Sequence, residues 1–435
     1  MRGADEQVFL VTISESWRRP QVSAVPDPAA VQPIRVLHII TRMIVGGAQE
    51  NTLLSCALID RDRFPSDILT GPETGAEGSM HDDCRLSGVT LHLEPALGRS
   101  VHPWKDFIAL LRLTQLIRRG RYDVVHTHSS KAGVLGRIAA RLAGAPVVVH
   151  TVHGWPFSQE ESFMHRALWV NLERSCARLA DAIVVVGSAD REKGLELGIG
   201  RADQYHLIRS GIDVDHYRGA GVDRGQVRSR LGLPPRAFVV GSVGRLSRQK
   251  APLDLLGAFE PVARARADAH MVIVGDGPDR PAVEAAVRNL RLAERVHLAG
   301  LRRDVPALMS AFDVFALASH WEGLPRVLPQ AMAAGLPIVA SRANGVPDAV
   351  VNGENGWLVD VGDVAGMSRR LLELSNDPSR ARRMGERGRE RAEEFSARRM
   401  VDQLSVLYRR LVLWKEGPAS RTDEHEVVDP PARVA

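Results

Sequence analysis

Cysteine is scarce in this sequence of 435 residues, which contains three. Cys56, Cys84 and Cys176 are an odd number without close spacing, which argues against a disulfide framework or a zinc ribbon and favours a reducing compartment. Apolar runs of the roughly 18–20 residues needed to cross a bilayer are also missing. The apolar run Val8–Ile13 is too short for a signal-peptide core and follows acidic residues. We therefore expect a cytoplasmic protein, at most peripheral to a membrane.

A strong excess of one charge sign is missing as well. The net charge is +5 and the isoelectric point is about 9.4. This mild excess fits an anionic substrate or an acidic membrane surface, and it is too small to predict nucleic-acid binding. Hydrophobic residues make up 44% of the chain and charged residues 25%, as in ordinary globular proteins. A chain of this length is expected to form two domains with tails.

Short runs rich in Val, Ile and Leu alternate with stretches of helical period from Arg35 onward. This alternation predicts βαβ units around a parallel sheet. The predicted strands of the first half are Arg35–Ile40, Val89–Leu93, Asp123–His128, Val147–Thr151 and Ala182–Val186. The predicted helices between them are Trp104–Arg119, Lys131–Ala143 and Phe163–Leu179.

A second series of the same kind follows a segment rich in glycine and proline, Ser210–Arg236, which we interpret as a linker. Its predicted strands are Phe238–Val243, His270–Val274, Val296–Leu298, Val314–Leu317 and Ile338–Ala340. Helices are predicted at Met367–Ser375, Ser379–Glu394 and Ala397–Trp414. We therefore predict an α/β protein with two doubly wound, Rossmann-like domains that face a cleft. Ligands of such sheets bind beyond the carboxyl ends of the strands.

The predicted division of the chain has six parts. They are a poorly ordered leader (1–32), a first domain (33–210), a linker (211–236), a second domain (237–395), a C-terminal helix (396–416) and a disordered tail (417–435).

Two predicted strand ends carry residues suited to phosphate. Gly46 and Gly47 follow the first strand, where paired glycines let the backbone approach a phosphate and the next helix presents free N–H groups. The pair lacks the spacing of a dinucleotide fingerprint and the lysine of a P-loop, which disfavours nicotinamide chemistry and ATP hydrolysis. Arg245 and Lys250 follow the first strand of the second series. They suit a diphosphate, although an ordinary solvated basic turn would look the same.

Further motifs follow the strands of the second half. In order they are Gly244-Arg245-Leu246 with Lys250, Val274-Gly275-Asp276-Gly277, Ser319 with Glu322-Gly323, Ala331-Met332-Ala333 with Gly335-Leu336-Pro337-Ile338-Val339-Ala340, and Asn352-Gly353 with Asn355-Gly356-Trp357-Leu358-Val359. This combination resembles family four of the GT-B glycosyltransferases, from about Arg35 to about Trp414. The resemblance implies a retaining enzyme that transfers a sugar from a nucleotide-diphosphate sugar, most often a uridine one, and needs no metal.

The resemblance also implies roles for individual residues. Arg245 and Lys250 would hold the donor diphosphate, Glu322 would lie beside the transferred sugar, and backbone near Gly300 would read the base. The donor-site residues predicted in addition are Gly46, Gly47, Leu301, Gly323, Leu324, Arg326, Val327 and Gln330. The acceptor would bind the first domain and the nucleotide sugar the second.

Gln330 departs from the family pattern, which has a glutamate eight residues after Glu322 to bind the ribose hydroxyls. An amide still pairs with hydroxyls but loses a charge-assisted bond, on the order of 1–2 kcal/mol. We expect weaker donor binding with retained activity, and a non-catalytic nucleotide-sugar binder is the alternative. Pro325 and Gly335 predict the start and the end of the helix that carries Gln330.

Histidines concentrate at two strand ends of the first half. His126, His128, His150 and His153, with the run Lys131–Arg137, resemble family members that build capsular, exopolysaccharide or lipid-linked glycans. That likeness implies that His153 reaches the donor sugar as part of the catalytic set with Glu322, Arg245 and Lys250. A zinc site is the alternative, disfavoured because no cysteine or carboxylate nearby completes a ligand set.

Asp213-Val214-Asp215 matches the short string by which another class of transferase binds its metal. It lies at the predicted linker and lacks a strand end that faces the cleft, so we interpret it as a turn. No divalent ion is expected.

The helix from Trp104 to Arg119 carries apolar Trp104, Phe107, Leu111 and Ile117 beside several basic residues. Such a helix suits an anionic bilayer that holds a polyprenyl-linked acceptor, and an ordinary core-facing helix is the alternative. The expected partners are a nucleotide-sugar donor, a glycan or polyprenyl-linked acceptor and an anionic membrane surface, without nucleic acid. A nucleotide-sugar epimerase of the same architecture is the rival function, disfavoured by the block from Glu322 to Pro337.

Overall fold

The computed structural model describes residues 32–73, 78–157, 162–219 and 222–417. The predicted leader before residue 32, the run Val8–Ile13 and the predicted tail after residue 417 lie outside the described residues.

The first half of the chain forms a parallel sheet. Its strands are β1 (Val36–Arg42), β2 (Ser66–Gly71), β3 (Thr90–Leu93), β4 (Val124–His128), β5 (Val147–Val152), β6 (Ala182–Val185) and β7 (Tyr205–Leu207). They lie in the order β3-β2-β1-β4-β5-β6-β7. The helices between them are α1 (Gly47–Leu58), α2 (His81–Leu86), α3 (Pro103–Gly120), α4 (Ser130–Ala143), α5 (Phe163–Ala177) and α6 (Ser188–Glu196).

Two short helices, α7 (Val214–Tyr217) and α8 (Arg224–Arg230), lead to a second parallel sheet. Its strands are β8 (Phe238–Val243), β9 (Ala269–Val274), β10 (Val296–Gly300), β11 (Val314–Leu317), β12 (Ile338–Ser341) and β13 (Gly356–Val359), in the order β10-β9-β8-β11-β12-β13. The helices are α9 (Pro252–Ala265), α10 (Arg280–Asn289), α11 (Val305–Ser310), α12 (Val327–Ala333), α13 (Val346–Ala349), α14 (Val364–Asn376), α15 (Pro378–Ala392) and α16 (Ala397–Glu416).

Both sheets are covered on both faces, which explains their nearly continuous apolar strands. Every residue of β4, β5 and β9 is buried. At the centre of the second sheet Gly241 leaves room for the ring of Phe312, because a Cβ atom there would lie 1.9 Å from that ring. The predicted pair of doubly wound domains is confirmed.

The interval 211–236, predicted as a linker, contains α7 and α8. Val227 and Leu233 belong to the core of the second domain. The buried guanidinium of Arg228 donates to the carbonyl oxygens of Ala311 and Pro235 and pairs with Asp313. The glycines and prolines of this interval therefore interrupt helices without preventing close packing against the second sheet.

The last helix, α16, returns from the second domain to the first. At the crossing, Ile212 N donates to Phe395 O over 2.8 Å and Ala397 N donates to Ile212 O over 2.9 Å. The apolar face of α16, including Met400 and Tyr408, then packs into the core of the first sheet. The chain thus passes between the domains twice, near Ile212 and near Ala397, and the two crossing segments lie side by side. No helix of the described ranges is long and apolar enough to cross a membrane.

Candidate active site at the facing strand ends

The loops after β8, β9 and β10 pack backbone against backbone. A Cβ atom on Gly275 would lie 2.0 Å from Gly244 O, and one on Gly277 would lie 2.2 Å from Leu246 O. Gly275 N also donates to Gly300 O over 2.8 Å. Gly275 and Gly277 are therefore required, because a side chain at either position would collide with the backbone of the neighbouring loop. The packed loops form a wall at the carboxyl ends of the strands, where the donor was predicted.

Lys250 and Glu322 meet at this wall, although they follow different strands. β8 and β11 are neighbours in the sheet, and the Lys250 ammonium forms an ion pair with Oε1 of Glu322. The same oxygen accepts a hydrogen bond of 2.6 Å from Oγ of Ser319. The two loops are also joined by Gln249 Nε2, which donates to Trp321 O over 3.0 Å. Lys250, which was predicted to bind the diphosphate, thus lies in one site with Glu322, which was predicted to lie beside the sugar.

The other predicted donor residues of the second domain surround this pair. Arg245 is exposed on the same loop as Lys250, and Leu301 is exposed directly after β10. Gln330 is buried within α12 and Leu324 is buried just before that helix.

The helix α12 begins at Val327, and the predicted start at Pro325 was wrong. Pro329 has no N–H group with which to bond the carbonyl of Pro325 four residues earlier. Leu328 N donates to Pro325 O over 2.9 Å instead, which gives a tighter turn ahead of the helix.

Arg326 joins the two domains. Its buried guanidinium donates to Gly211 O over 2.7 and 3.2 Å and to Gly47 O over 3.4 Å, and it forms an ion pair with Glu50. The predicted donor contact of Arg326 can therefore come from its backbone, since its side chain is committed to the start of α1 and to the interdomain crossing.

The first domain faces the same site. A Cβ atom on Gly323 would lie 2.5 Å from His153 O and 3.2 Å from Gly154 N, so the loop after β5 touches the segment after Glu322. Asp348 accepts hydrogen bonds from the amide and hydroxyl of Ser188, over 2.6 and 2.7 Å. The carboxyl ends of the two sheets confront each other, as predicted.

Three histidines form a hydrogen-bonded chain that ends at the cleft. Nδ1 of His38 lies 2.9 Å from Nε2 of His128, and Nδ1 of His128 lies 3.1 Å from Nε2 of His153. His126 stacks on His128 with ring centroids 4.4 Å apart. His38 and His128 are buried, whereas His153 is partly exposed.

These histidines are neutral at physiological pH. Burial lowers the pKa of His38 to about 3. Burial, and secondly the charge of Arg326, lowers the pKa of His153 to about 4. The pKa values of His126, His128 and His150 are lowered as well, mainly by burial. Neutral rings donate through one nitrogen and accept through the other.

The arrangement of these rings suits hydrogen bonding better than metal binding. Nitrogens of His38, His126 and His128 lie within 4.8 Å of one another. Both nitrogens of His126 are already engaged, 2.6 Å from the Tyr408 hydroxyl and 2.6 Å from Thr151 Oγ1. A zinc ligand needs a free lone pair, so this set would have to break existing bonds.

The Asp-x-Asp string belongs to the short helix α7. Oδ1 of Asp213 accepts from His216 N over 3.0 Å and so caps that helix. Asp215 pairs with Arg218 over 3.0 Å. Both carboxylates thus have structural partners.

Sequence reasoning missed His38 and Tyr408 as neighbours of the site. A histidine within the apolar strand Val36–Arg42 was the available signal for His38. Tyr408 gave none, because its contact with His126 depends on α16 returning to the first domain.

Comparison with known proteins agrees with this geometry. Residues 46–211 match the glycosyl transferase 4-like domain and residues 223–391 match the glycosyl transferases group 1 family. The UDP-Gal:alpha-D-GlcNAc-diphosphoundecaprenol alpha-1,3-galactosyltransferase of Escherichia coli is 32% identical over 348 residues, which cover 79% of this chain and 88% of that protein. Alpha-maltose-1-phosphate synthase of Mycolicibacterium smegmatis is 34% identical over 66% of this chain and 79% of its own.

Among solved structures, HepE of Anabaena in complex with UDP-glucose superposes with a TM-score of 0.75 at 24% identity, covering 87% of this chain and 100% of its own. That likeness shows the fold. Together, the family matches, the similarity in sequence and the two facing sheets show that this chain belongs to the family-four glycosyltransferases with the GT-B fold.

Proposed function

We propose that this chain is a retaining, metal-independent glycosyltransferase that moves a sugar from a UDP-sugar to a lipid-linked or other glycan acceptor at the cytoplasmic face of a membrane. The observation that supports it most is the meeting of Lys250, Glu322 and the backbone of His153 at one point of the cleft. The E. coli relative is named for UDP-Gal and a diphosphoundecaprenol acceptor, and HepE was solved with UDP-glucose.

The donor diphosphate is proposed to lie between Arg245 and Lys250 on one side and the amides at Gly46 and Gly47 on the other. Negative charge develops on the diphosphate as the sugar departs, and fixed cations and the amino end of a helix stabilise it there. The twelve-residue helix α1 begins at Gly47 and supplies such an end. These groups replace the charge that a divalent ion would provide.

Glu322 is proposed to position the sugar rather than to attack it. Its Oε1 accepts from Lys250 and Ser319, which stabilises the anion and weakens it as a nucleophile. The acceptor hydroxyl would attack the anomeric carbon from the side of the leaving group, while its proton passes to a donor phosphate oxygen. The C–O bond to the diphosphate breaks as the new C–O bond forms on the same face, so the configuration is retained.

An apolar surface on the first domain supports the membrane contact. Trp104, Phe107 and Leu111 of α3 are exposed, as are Phe163 and Met164 at the start of α5. Helix α4 packs against both α3 and α5, so the two helices that carry these side chains lie on either side of it. Exposed apolar groups beside cations favour an anionic lipid surface. Ile117, predicted on this face, is buried instead because it faces the core beneath α3.

A flotation assay tests the membrane contact separately from catalysis. The full chain should float with vesicles containing anionic phospholipid, and a Trp104→Ser/Phe107→Ser variant should remain at the bottom with unchanged thermal stability. Equal flotation of both proteins, or none for the wild type, would remove this contact from the proposal.

The catalytic proposal is tested by a thermal-shift screen of UDP-, GDP- and ADP-sugars, with magnesium or with EDTA, followed by transfer assays on polyprenyl-diphosphate sugars. We expect stabilisation by a UDP-sugar in EDTA and a product with the donor's anomeric configuration by NMR. Conversion of the donor without acceptor would indicate an epimerase, and binding without turnover would indicate a non-catalytic binder. A requirement for magnesium would contradict metal independence, and a product of inverted configuration would contradict the retaining mechanism.

A further inference from the structure

The chain of three histidines has two ways to order its protons. A neutral imidazole carries one N–H. If each ring is protonated at Nδ1, His38 donates to His128 and His128 donates to His153. If each ring is protonated at Nε2, the donation runs from His153 to His128 to His38. The two orders leave opposite groups at the ends of the chain.

The buried end of the chain distinguishes the two orders. Among the described residues, Nε2 of His38 is buried without a hydrogen-bond partner. Protonation at Nε2 would leave an N–H group unsatisfied there, whereas protonation at Nδ1 leaves only a lone pair. Orphaned N–H groups are rarer in proteins than unfilled acceptor positions, and an unmade donor is costly. The buried end therefore favours the order in which every ring is protonated at Nδ1.

The middle of the chain is held in place by its neighbours. His126 stacks on His128, and its own ring is fixed by hydrogen bonds to Thr151 and the Tyr408 hydroxyl. His128 is fully buried and hydrogen-bonds through both nitrogens. The ring is thus fixed in position, and its proton order follows from His38.

At the cleft, the same order sets what His153 offers to a ligand. Its Nε2 accepts from His128, so the nitrogen left for a ligand is Nδ1, which then carries the proton. A ring in this form donates a hydrogen bond and has no lone pair with which to act as a base. We propose that His38 and His128 are positioning residues that fix His153 as an Nδ1–H donor toward a hydroxyl oxygen of the donor sugar. This rests on the proposed function, in which the sugar lies beside His153.

The first test requires no substrate, and the spectrum that decides it is that of the wild-type protein. The full chain labelled with ring-¹⁵N histidine is recorded at neutral pH, and the His153 signals are assigned by their loss in a His153→Asn variant. We expect the proton of His153 on Nδ1, opposite to the preference of free histidine. A proton mainly on Nε2, or rapid averaging between the two nitrogens, would overturn the proposal whatever the enzyme's activity.

The second test measures the consequence for the sugar. In His38→Leu the donor to His128 is lost, whereas in His38→Asn an amide N–H can take its place. We expect His38→Leu to weaken binding of UDP-glucose or UDP-galactose roughly two- to tenfold, as for one neutral hydrogen bond, and to leave binding of UDP unchanged. His38→Asn should bind the UDP-sugar as the wild type does.

Equal weakening for UDP and for the UDP-sugar in His38→Leu would show a merely structural role and contradict the proposal. If His38→Leu does not fold, as its melting curve will show, the wild-type spectrum decides. If no UDP-sugar binds the wild type, the proposed function fails, while the spectrum still reports the proton order.

Discussion

Arg245 is the side chain on which the proposed stabilisation of the leaving group depends most. It is exposed on the loop from Gly244 to Lys250. Replacing Arg245 by Ala should lower kcat/KM about 10²–10³-fold, as for other charge-stabilising donors. The measurement is the initial rate of transfer at subsaturating donor. Arg288→Ala, an exposed site on α10, is the matched control and should retain the wild-type rate; full activity of Arg245→Ala would refute this role.

A substitution at Gln330 should improve a property of the protein, its affinity for UDP, rather than impair one. The residue is buried in α12, where the family pattern has a glutamate. If it faces the ribose, Gln330→Glu should tighten UDP binding roughly tenfold by restoring a charge-assisted bond, and Gln330→Met should weaken it. Isothermal titration with UDP measures both. Unchanged affinity in both variants would place the ribose elsewhere.

Neutral histidines lie on or directly after strands β1, β4 and β5. Their burial should lower the free energy of unfolding at acidic pH. The pKa is lowered to about 3 at His38 and about 4 at His153, and it lies below its ordinary value at three neighbours. The unfolded chain therefore binds protons below pH 6.5 that the folded chain does not, so stability is present above pH 6.5 and is lost as pH falls.

Urea unfolding at pH 7.5 and 5.5 measures this loss. His38 and His153 should each contribute about 1.4 kcal/mol to it. His38→Asn should reduce the loss by that amount, whereas His216→Asn, on an exposed site, should not. A loss that is equal in the wild type and in His38→Asn would contradict the account.

The elements that the sequence predicted well are those whose own residues determine them. Strands such as Phe238–Val243 and Val314–Leu317 agree with β8 and β11, because buried strands of parallel sheets are apolar on both faces. The strand Ser66–Gly71 was missed because it begins with polar residues, Tyr205–Leu207 because it has only three residues, and Gly356–Val359 because it begins with glycine, which is depleted in strands. These strands exist because a neighbouring strand supplies their hydrogen bonds.

The candidate active site likewise contains contacts that the sequence predicted and contacts that it did not. Motifs at strand ends predicted that Lys250 and Glu322 lie together, because parallel strands deliver their carboxyl ends to one edge. The side-chain contacts of Arg326 with Gly211 and those of Tyr408 with His126 depend on how the two domains and α16 come together. No pattern along the chain contains that information.

At the scale of the whole molecule, Arg326 is proposed to hold the two domains in the facing arrangement. Arg326→Met removes the hydrogen bonds to Gly211 O and the ion pair with Glu50. The facing arrangement should lose about 1–3 kcal/mol, which raises the donor KM by at most about 5- to 150-fold and increases the radius of gyration in small-angle scattering.

Glu50→Gln provides the partner variant for this test. Because it removes the other half of the ion pair, its effect on KM should not add to that of Arg326→Met. Arg288→Met is the control and should leave both KM and the radius of gyration unchanged. Full additivity of the two effects would show that the ion pair does not set the arrangement.

A nucleotide diphosphate is proposed to be held between the two domains, by cations of the second domain and by backbone amides of the first. Hydrogen–deuterium exchange with saturating UDP reports on both sides of this site in one experiment. We predict that UDP slows exchange both in the peptides around Gly46–Gly47 and in those spanning residues 244–250 and 322–330. In Arg245→Ala, the same UDP concentration should not slow exchange in these peptides. Protection confined to one domain, or appearing away from the facing strand ends, would show that the diphosphate does not bind between the two domains.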